Sequence, residues 1–490
     1  MVCNRPLWWW SVALAGGALA GAALPPLGCP PLLWLALVPL WGLGPAAACL
    51  WAALAVLVSH RWLLWLHPLD WVGVPLPLSL PLCVLLWAGC GLLGAALVGG
   101  WRWLVQRLGP ERWGTALLAA ALWGLAEVAL ARGPLYWIGL GVAALPGDRA
   151  LAAWAGWVGA GGLAALQLLF GWGLWRLWAL ARGRRRLLWR AGLLWLAVVL
   201  AVQGLGWWRL GQAQRPGQAV DDLAVLVLQP AIPTRRKFDW DQQQALLSRL
   251  EGALGQAQQL PVQAVVLPEG ALPLGQELPQ PAAVQVLSGG FRLVGERLRS
   301  ALLVFNPGAQ AASAALDKHR LVPLGEWIPG GELFAWAGLS AVGGVSPGAP
   351  SRLLPRPQGG IGVVICYELA DGTAVAAATR DGAGWLLASA NLDPYPLLLQ
   401  RQFMALAQLR ALEADRWLVS AANTGPSLVV DPAGVVRQQL PPFVPGRLVA
   451  QLQVRQGLTG YARWGELPLL LLLLAAGAAL LWRESRVRQS

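Results

Sequence analysis

Between residues 8 and 209 one apolar stretch follows another, and a further one returns at 467–482. Most are close to the ~20 residues that a helix needs to cross the hydrocarbon core of a bilayer. A chain written this way cannot fold as a soluble globule alone. The spacing predicts helices over 8–24, 30–44, 46–66, 74–99, 114–131, 151–178, 190–209 and 466–482, a membrane bundle of about eight spans. Residues between the seventh and eighth have the make-up of an ordinary soluble domain. The expected organisation is therefore 1–209 as an N-terminal transmembrane bundle, 215–463 as an external domain, 466–482 as a C-terminal transmembrane helix and 483–490 as a cytoplasmic tail.

Charge orients this arrangement. The net charge is +13, although only 12% of residues are charged, against ~25% in soluble proteins. With the N-terminus in the cytoplasm and the spans alternating, three basic groups all fall inside. They are Arg102, Arg107 and Arg112; then Arg182, Arg184, Arg185, Arg186 and Arg190; and after the last span Arg483, Arg486 and Arg488. The basic excess is thus a topology signal, and it argues against a nucleic-acid partner. Arg5 precedes the first run, which reads as a retained span because more apolar runs follow at once. Trp8–Trp10, Trp101, Trp103, Trp207 and Trp208 suit the membrane interface. Glu127 stands inside an apolar run, where a carboxylate is either functional or solvated and paired near a helix end.

The intervening domain alternates short apolar strands with helices. Strands are predicted over 223–228, 262–267, 283–287, 301–305, 361–365, 385–388, 417–420, 427–430 and 448–454, with helices over 239–258 and 397–415. Strands apolar throughout are buried on both faces, so helices must flank the sheets in an α/β layered domain.

Within that domain the reactive residues are few. The chain has three histidines, six cysteines and only two lysines, Lys237 and Lys318. Five cysteines lie in the apolar part, and no Cys/His group has metal-ligand spacing. Cys366 stands alone at the tip of the strand Gly362–Ile365, with Glu368 two residues on. It reads either as a nucleophile or as a buried structural cysteine. A second strand ends at Leu267-Pro268-Glu269-Gly270, and the loop 318–329 carries Lys318 and Glu326. Carboxylate, ammonium and thiol together can run acyl transfer without histidine. The carboxylate takes the thiol proton, the thiolate attacks a carbonyl and the ammonium faces the oxyanion.

In order and spacing, these three segments resemble the Glu-Lys-Cys triad of the nitrilase (carbon–nitrogen hydrolase) superfamily. Lys318–Glu326, Ala422-Asn423-Thr424-Gly425 with Ser427, and Gln456–Glu466 resemble segments of the apolipoprotein N-acyltransferase family, as does a domain inserted before the final span. The resemblance implies an αββα sandwich in which Glu269 is the general base, Lys318 the oxyanion stabiliser and Cys366 the nucleophile. Glu326, Tyr367 and Glu368 match supporting positions. It implies no cofactor and no metal. The acyl donor would be a membrane phospholipid, typically phosphatidylethanolamine, and the acceptors S-diacylglyceryl-cysteine lipoproteins. The protein would lie in the inner membrane, with both termini cytoplasmic and the domain periplasmic. Apolar loops at Leu333–Leu339 and Tyr395–Leu399 would contact acyl chains or simply pack at the surface. Two departures from the family pattern fall in one loop: Gln229-Pro230-Ala231 replaces the frequent Gln-Gly-Asn, and Phe238 stands where tryptophan is usual. Arg235, Arg236 and Lys237 in that loop read as a solvated or headgroup-facing patch. A membrane-anchored amidase acting on a small amide is the competing enzyme, and a non-catalytic scaffold the competing class.

Overall fold

The computed structural model describes residues 8–70, 74–183, 185–214, 219–237, 239–323, 325–327, 344–350, 352–357, 359–393 and 395–489. Arg5, Arg184, Phe238 and the apolar stretch Leu333–Leu339 lie outside the described residues, as do Leu324, Ile328 and Pro329 of the lysine loop.

Among the described residues the apolar part is mainly helical. Its principal helices are α1 (Trp8–Ala23), α2 (Pro30–Gly42), α3 (Pro45–Ser59), α4 (Leu76–Leu108) and α5 (Trp113–Arg132). A one-turn α6 (Arg149–Ala152) then precedes α7 (Ala155–Ala181) and α8 (Arg185–Ala213). Among the described residues four helices are long and apolar enough to cross a membrane: Leu76–Leu108, Trp113–Arg132, Ala155–Ala181 and Leu187–Ala213. Pro30–Gly42, Pro45–Ser59 and Leu467–Arg483 are shorter apolar helices. The stretch expected as one helix over 46–66 is broken: α3 stops at Ser59, and Arg61–Leu66 continues as a 3-10 turn. Trp101 and Arg102 also depart from expectation. Both are buried within the bundle, Trp101 donating to the Ala119 carbonyl at 2.9 Å and Arg102 to that of Leu43 at 2.6 Å. Each polar group thereby finds a main-chain acceptor where no water is at hand. Glu127 likewise accepts from Trp123 Nε1 at 2.8 Å and from the Leu140 amide at 2.7 Å.

The α/β domain begins with β1 (Ala219–Gln229), the amphipathic α9 (Trp240–Gln259), β2 (Ala264–Leu272), β3 (Gln285–Val294), β4 (Arg297–Phe305) and β5 (Ala314–Asp317). After the lysine loop come β6 (Leu353–Leu354), β7 (Gly360–Ile365), α10 (Gly372–Arg380), β8 (Ala383–Ala390) and α11 (Leu397–Ala414). It closes with β9 (Leu418–Ala422), β10 (Leu428–Val430), β11 (Val436–Gln439) and β12 (Gly446–Arg455). The turn α12 (Gly460–Trp464) then leads into α13 (Leu467–Gln489). Two six-stranded sheets result, ordered β12-β1-β2-β3-β4-β5 and β11-β10-β9-β8-β7-β6.

The alternation of side chains along each strand explains the layers. Val225, Val227, Ala264, Val266 and Leu287 point from the first sheet into a shared core with Ile361, Val363, Ile365, Trp385 and Leu387 of the second. The opposite face of the first sheet presents Leu226, Leu228, Val265 and Leu267 to Leu250, Ala253, Leu254 and Ala257 of α9. Val364, Leu386 and Ala388 on the outer face of the second sheet pack on α11. That core continues without a break into α2 and α7. The domain is therefore an αββα sandwich whose second helical layer lies on the membrane bundle.

Docking uses main-chain groups that helix ends and a helix break leave unpaired. Gly159 takes φ 66° inside α7 and interrupts its ladder, and the Tyr461 ring packs where a side chain would otherwise stand. The freed amide of Ala160 donates to Glu413 Oε1 of α11 at 2.9 Å. Arg209 of α8 donates to Leu412 O at 2.9 Å, and Gln402 of α11 to Ser59 O at 2.9 Å.

Candidate active site

Within the two sheets β1, β2 and β3 run parallel, as do β7, β8 and β9. Their carboxyl ends open on the same side, where loops are free to carry chemistry. Glu269 lies in the last half of β2, Lys318 directly follows β5, and Cys366 directly follows β7. Residues that are 49 and 97 positions downstream of Glu269 thus meet it at one edge of the sandwich.

Lys318 Nζ donates to Glu269 Oε1 at 2.7 Å, and lies 2.9 Å from Oε1 and 2.8 Å from Oε2 of Glu326. Lys318 is 1% exposed, so this ammonium has no water to solvate it and takes two carboxylates instead. Burial works against its charge, but Glu269 and Glu326 outweigh burial and hold its pKa well above the ordinary lysine value. The other oxygen of Glu269 accepts the main-chain amide of Asn391 at 3.0 Å, from the tip of β8. Both oxygens are thereby fixed, and the Cys366 thiol stands within the field of the same carboxylate. Burial and then the Glu269 charge push the thiol well above its ordinary value, against the pull of Lys318. At neutral pH the resting cysteine is a thiol.

Cys366 has φ 55°, a left-handed conformation that costs a side-chain-bearing residue about 1–2 kcal/mol. It turns the chain sharply off β7 and presents the sulfur at the sheet edge. Glu368 holds this turn. Its carboxylate accepts from the amides of Ile365 (2.9 Å), His319 (2.9 Å) and Arg320 (2.8 Å), and pairs with Arg352 at 2.6 Å. Glu368 therefore ties the lysine loop to the cysteine turn. Tyr367 donates its hydroxyl to Leu321 O at 2.7 Å, and burial pushes its phenol up to about 12. Asp317, just before Lys318, receives a two-pronged bond from Arg292 (2.6 and 2.8 Å) and another from Arg299 (2.6 Å). Burial opposes its charge, yet these arginines hold its carboxyl below the usual range.

The structure brings Glu269, Lys318, Glu326 and Cys366 into one cluster and sets Tyr367 and Glu368 beside it. Asn391 was not anticipated; the polar step Ser389-Ala390-Asn391 closing an apolar strand is the signal that marks it. Lys237 corrects an expectation. Arg235 and Arg236 are exposed, but Lys237 turns inward and donates to the carbonyl of Gly270, next to Glu269. Asn423 bonds both main-chain groups of Ile232, its Oδ1 accepting at 3.0 Å and its Nδ2 donating at 2.7 Å, and its carbonyl accepts the Ala231 amide at 2.8 Å. Asn423 is thus scaffold for the departed loop.

A cavity of about 360 Å³ opens on Cys366. Val322, Pro323, Tyr367 and Leu392 line it from the domain, Leu399 and Phe403 from α11, and Leu85, Leu86, Gly89 and Cys90 from α4. Its walls are almost wholly apolar, and more than half of them belong to the membrane bundle.

A buried Glu-Lys-Cys cluster at the edge of an αββα sandwich defines a carbon–nitrogen hydrolase domain. The family model described as carbon-nitrogen hydrolase matches residues 276–458, starting seven positions after Glu269. The yeast Nit3 crystal structure, a member of branch 10 of the nitrilase superfamily, matches with TM-score 0.37 and 17% identity over 48% of this chain and 91% of that one. Over nearly its full length the chain is more specific. It is 52% identical to an apolipoprotein N-acyltransferase of Prochlorococcus marinus (strain MIT 9313), covering 93% of each chain. It is 48% identical to the one of Parasynechococcus marenigrum (strain WH8102), over 92% of this chain and 96% of that one. The chain belongs to the apolipoprotein N-acyltransferase family.

Proposed function

We propose that this membrane acyltransferase N-acylates lipoproteins by a ping-pong route in which Cys366 carries the acyl group. One observation bears most of the weight: the thiol beside the Glu269–Lys318 pair also borders an apolar cavity walled by membrane helices.

In the first half-reaction Glu269 takes the Cys366 proton as sulfur attacks the ester carbonyl of a phospholipid. The Lys318 ammonium faces the oxyanion, with no reorganisation of water needed at a site that excludes it. The ester C–O bond breaks, and the departing lysophospholipid oxygen takes the proton from Glu269. In the second half-reaction the neutral α-amine of an S-diacylglyceryl-cysteine attacks the thioester. A C–N bond forms, the C–S bond breaks, and the amine proton returns through Glu269 to the sulfur. Glu326 balances the Lys318 charge, while Tyr367 and Glu368 hold the loops in place. Phosphatidylethanolamine is the donor that the family resemblance favours.

The reading has eight spans, α1 to α5, α7, α8 and α13, with the domain of residues 215–463 outside the inner membrane and both termini in the cytoplasm; the four membrane-length helices among the described residues support it. The arginines at the ends of α4, α7 and α13 support that orientation. An amidase of the same superfamily has no use for an apolar chamber shared with a membrane bundle.

The test is intact-protein mass spectrometry after incubation with phosphatidylethanolamine and no acceptor. A gain of one acyl group, lost in Cys366→Ser, is expected. A wild-type protein that stays unmodified yet acylates a diacylated lipopeptide overturns the thioester route.

A further inference from the structure

Helix α5 ends at Arg132, and the carbonyls of its last turn have no partner within the helix. The side chain that satisfies two carbonyls at this end comes from the lysine loop, 189 and 187 residues away in sequence. Arg320 Nη1 donates to Ala131 O at 2.8 Å and Nη2 donates to Gly133 O. A guanidinium suits this position twice over: its fork spans two acceptors, and its positive charge meets the negative end of the helix dipole.

The same guanidinium lies 4.9 Å over the ring of Tyr367, the residue after the nucleophile, and 3.9 Å from Asp371 Oδ2. Its main-chain amide is held by Glu368. Arg320 therefore touches the end of a membrane helix, the cysteine turn and the clamp that orders both loops.

What flanks it gives this contact a function. The residues that follow the capped helix end, Pro134, Leu135 and Tyr136, line the acyl cavity from the bundle side. Val322, Pro323 and Gly325, which follow Arg320, line it from the domain side. Arg320 sits where these two walls meet.

We propose that Arg320 is a positioning residue that holds the two walls of the cavity in register and so determines the preference for long acyl chains. The inference rests on the reading of Cys366 as the acyl carrier. A short chain on Cys366 needs only the domain wall beside the sulfur. A long one must also run along the bundle wall, and it alone feels a seam that has slipped.

The experiment follows acyl-Cys366 formation by intact mass in the full-length protein in detergent micelles, with dioctanoyl- and dipalmitoyl-phosphatidylethanolamine as separate donors. Arg320→Lys keeps the charge but loses the fork and the stacking; Arg320→Met keeps only the stem. Both are expected to slow the dipalmitoyl reaction about tenfold, the loss of roughly one charge-assisted hydrogen bond, and to leave the dioctanoyl reaction within about twofold. Leu135→Ala loosens the bundle wall without touching the cap, so it gives the same discrimination even if an Arg320 variant folds poorly. Equal losses with both donors, or none, overturn the inference. Wild-type protein that takes no acyl group from either donor overturns the thioester reading instead.

Discussion

Glu326 lies 2.8 Å from Lys318 Nζ, on an ammonium already held by Glu269 at 2.7 Å. Two carboxylates share one lysine, and of the two Glu269 acts more strongly on the thiol. Glu326 frees Glu269 from neutralising Lys318 alone. Glu326→Gln is then expected to lower acyl-Cys366 formation about 10- to 100-fold, the range for losing one bond to a charged group, without lowering thermal stability at pH 7. Single-turnover mass spectrometry checks the rate; a variant within twofold of wild type leaves Glu326 without this role.

The protonation state of Cys366 can be read by alkylation. Because burial and then Glu269 push the thiol up, its reaction with chloroacetamide is expected to rise about tenfold per pH unit from pH 6 to 9 without a plateau. Glu269→Gln removes the negative neighbour, so the thiol pKa falls. The variant is therefore expected to alkylate faster than wild type at pH 8 while losing acyl transfer altogether. Slower alkylation in that variant would show that Glu269 does not raise the thiol pKa.

A third expectation concerns the joint between domain and bundle. Burial pushes Glu413 up to about 7, with Arg410, 3.0 Å away, pulling it down. A carboxyl whose folded pKa exceeds its unfolded value stabilises the fold below the unfolded pKa and loses that contribution as pH rises through about 7. Wild-type protein in detergent should therefore lose up to about 3 kcal/mol of this contribution between pH 5 and 8.5. Glu413→Gln should flatten the dependence. The measurement is the thermal midpoint against pH for both proteins; parallel curves would remove Glu413 as the cause.

Much of this was legible in the sequence because the signals are local or strongly periodic. The apolar runs became helices, and every expected strand of the domain is present, usually lengthened by a few residues. The missed elements have physical reasons. β11 is an exposed edge strand reading Val-Arg-Gln-Gln, with no apolar alternation to reveal it. The helix α10 is a run of small residues whose one clear mark is Asp371, capping the amides of Thr373 and Ala374. The break after Ser59 was hidden because apolar composition is the same on both sides of it. At the site, side chains with reactive chemistry were found by type. Asn391 contributes only a main-chain amide, which any residue carries, and the inward turn of Lys237 depends on a carbonyl contributed by another strand. Both are facts of tertiary placement.

The cavity at Cys366 takes its reactive wall from β-strand ends and its far wall from α4. These two walls are separate segments of the gene product, and mutations in one need not disturb the other. Leu85, Leu86 and Gly89 can drift in size to follow the lipids that a given membrane offers, while the strands that hold Glu269, Lys318 and Cys366 stay unchanged. Such a division lets donor preference diverge between lineages at constant chemistry. It also means that a chimera exchanging α4 alone is the natural route to an enzyme with a different acyl taste.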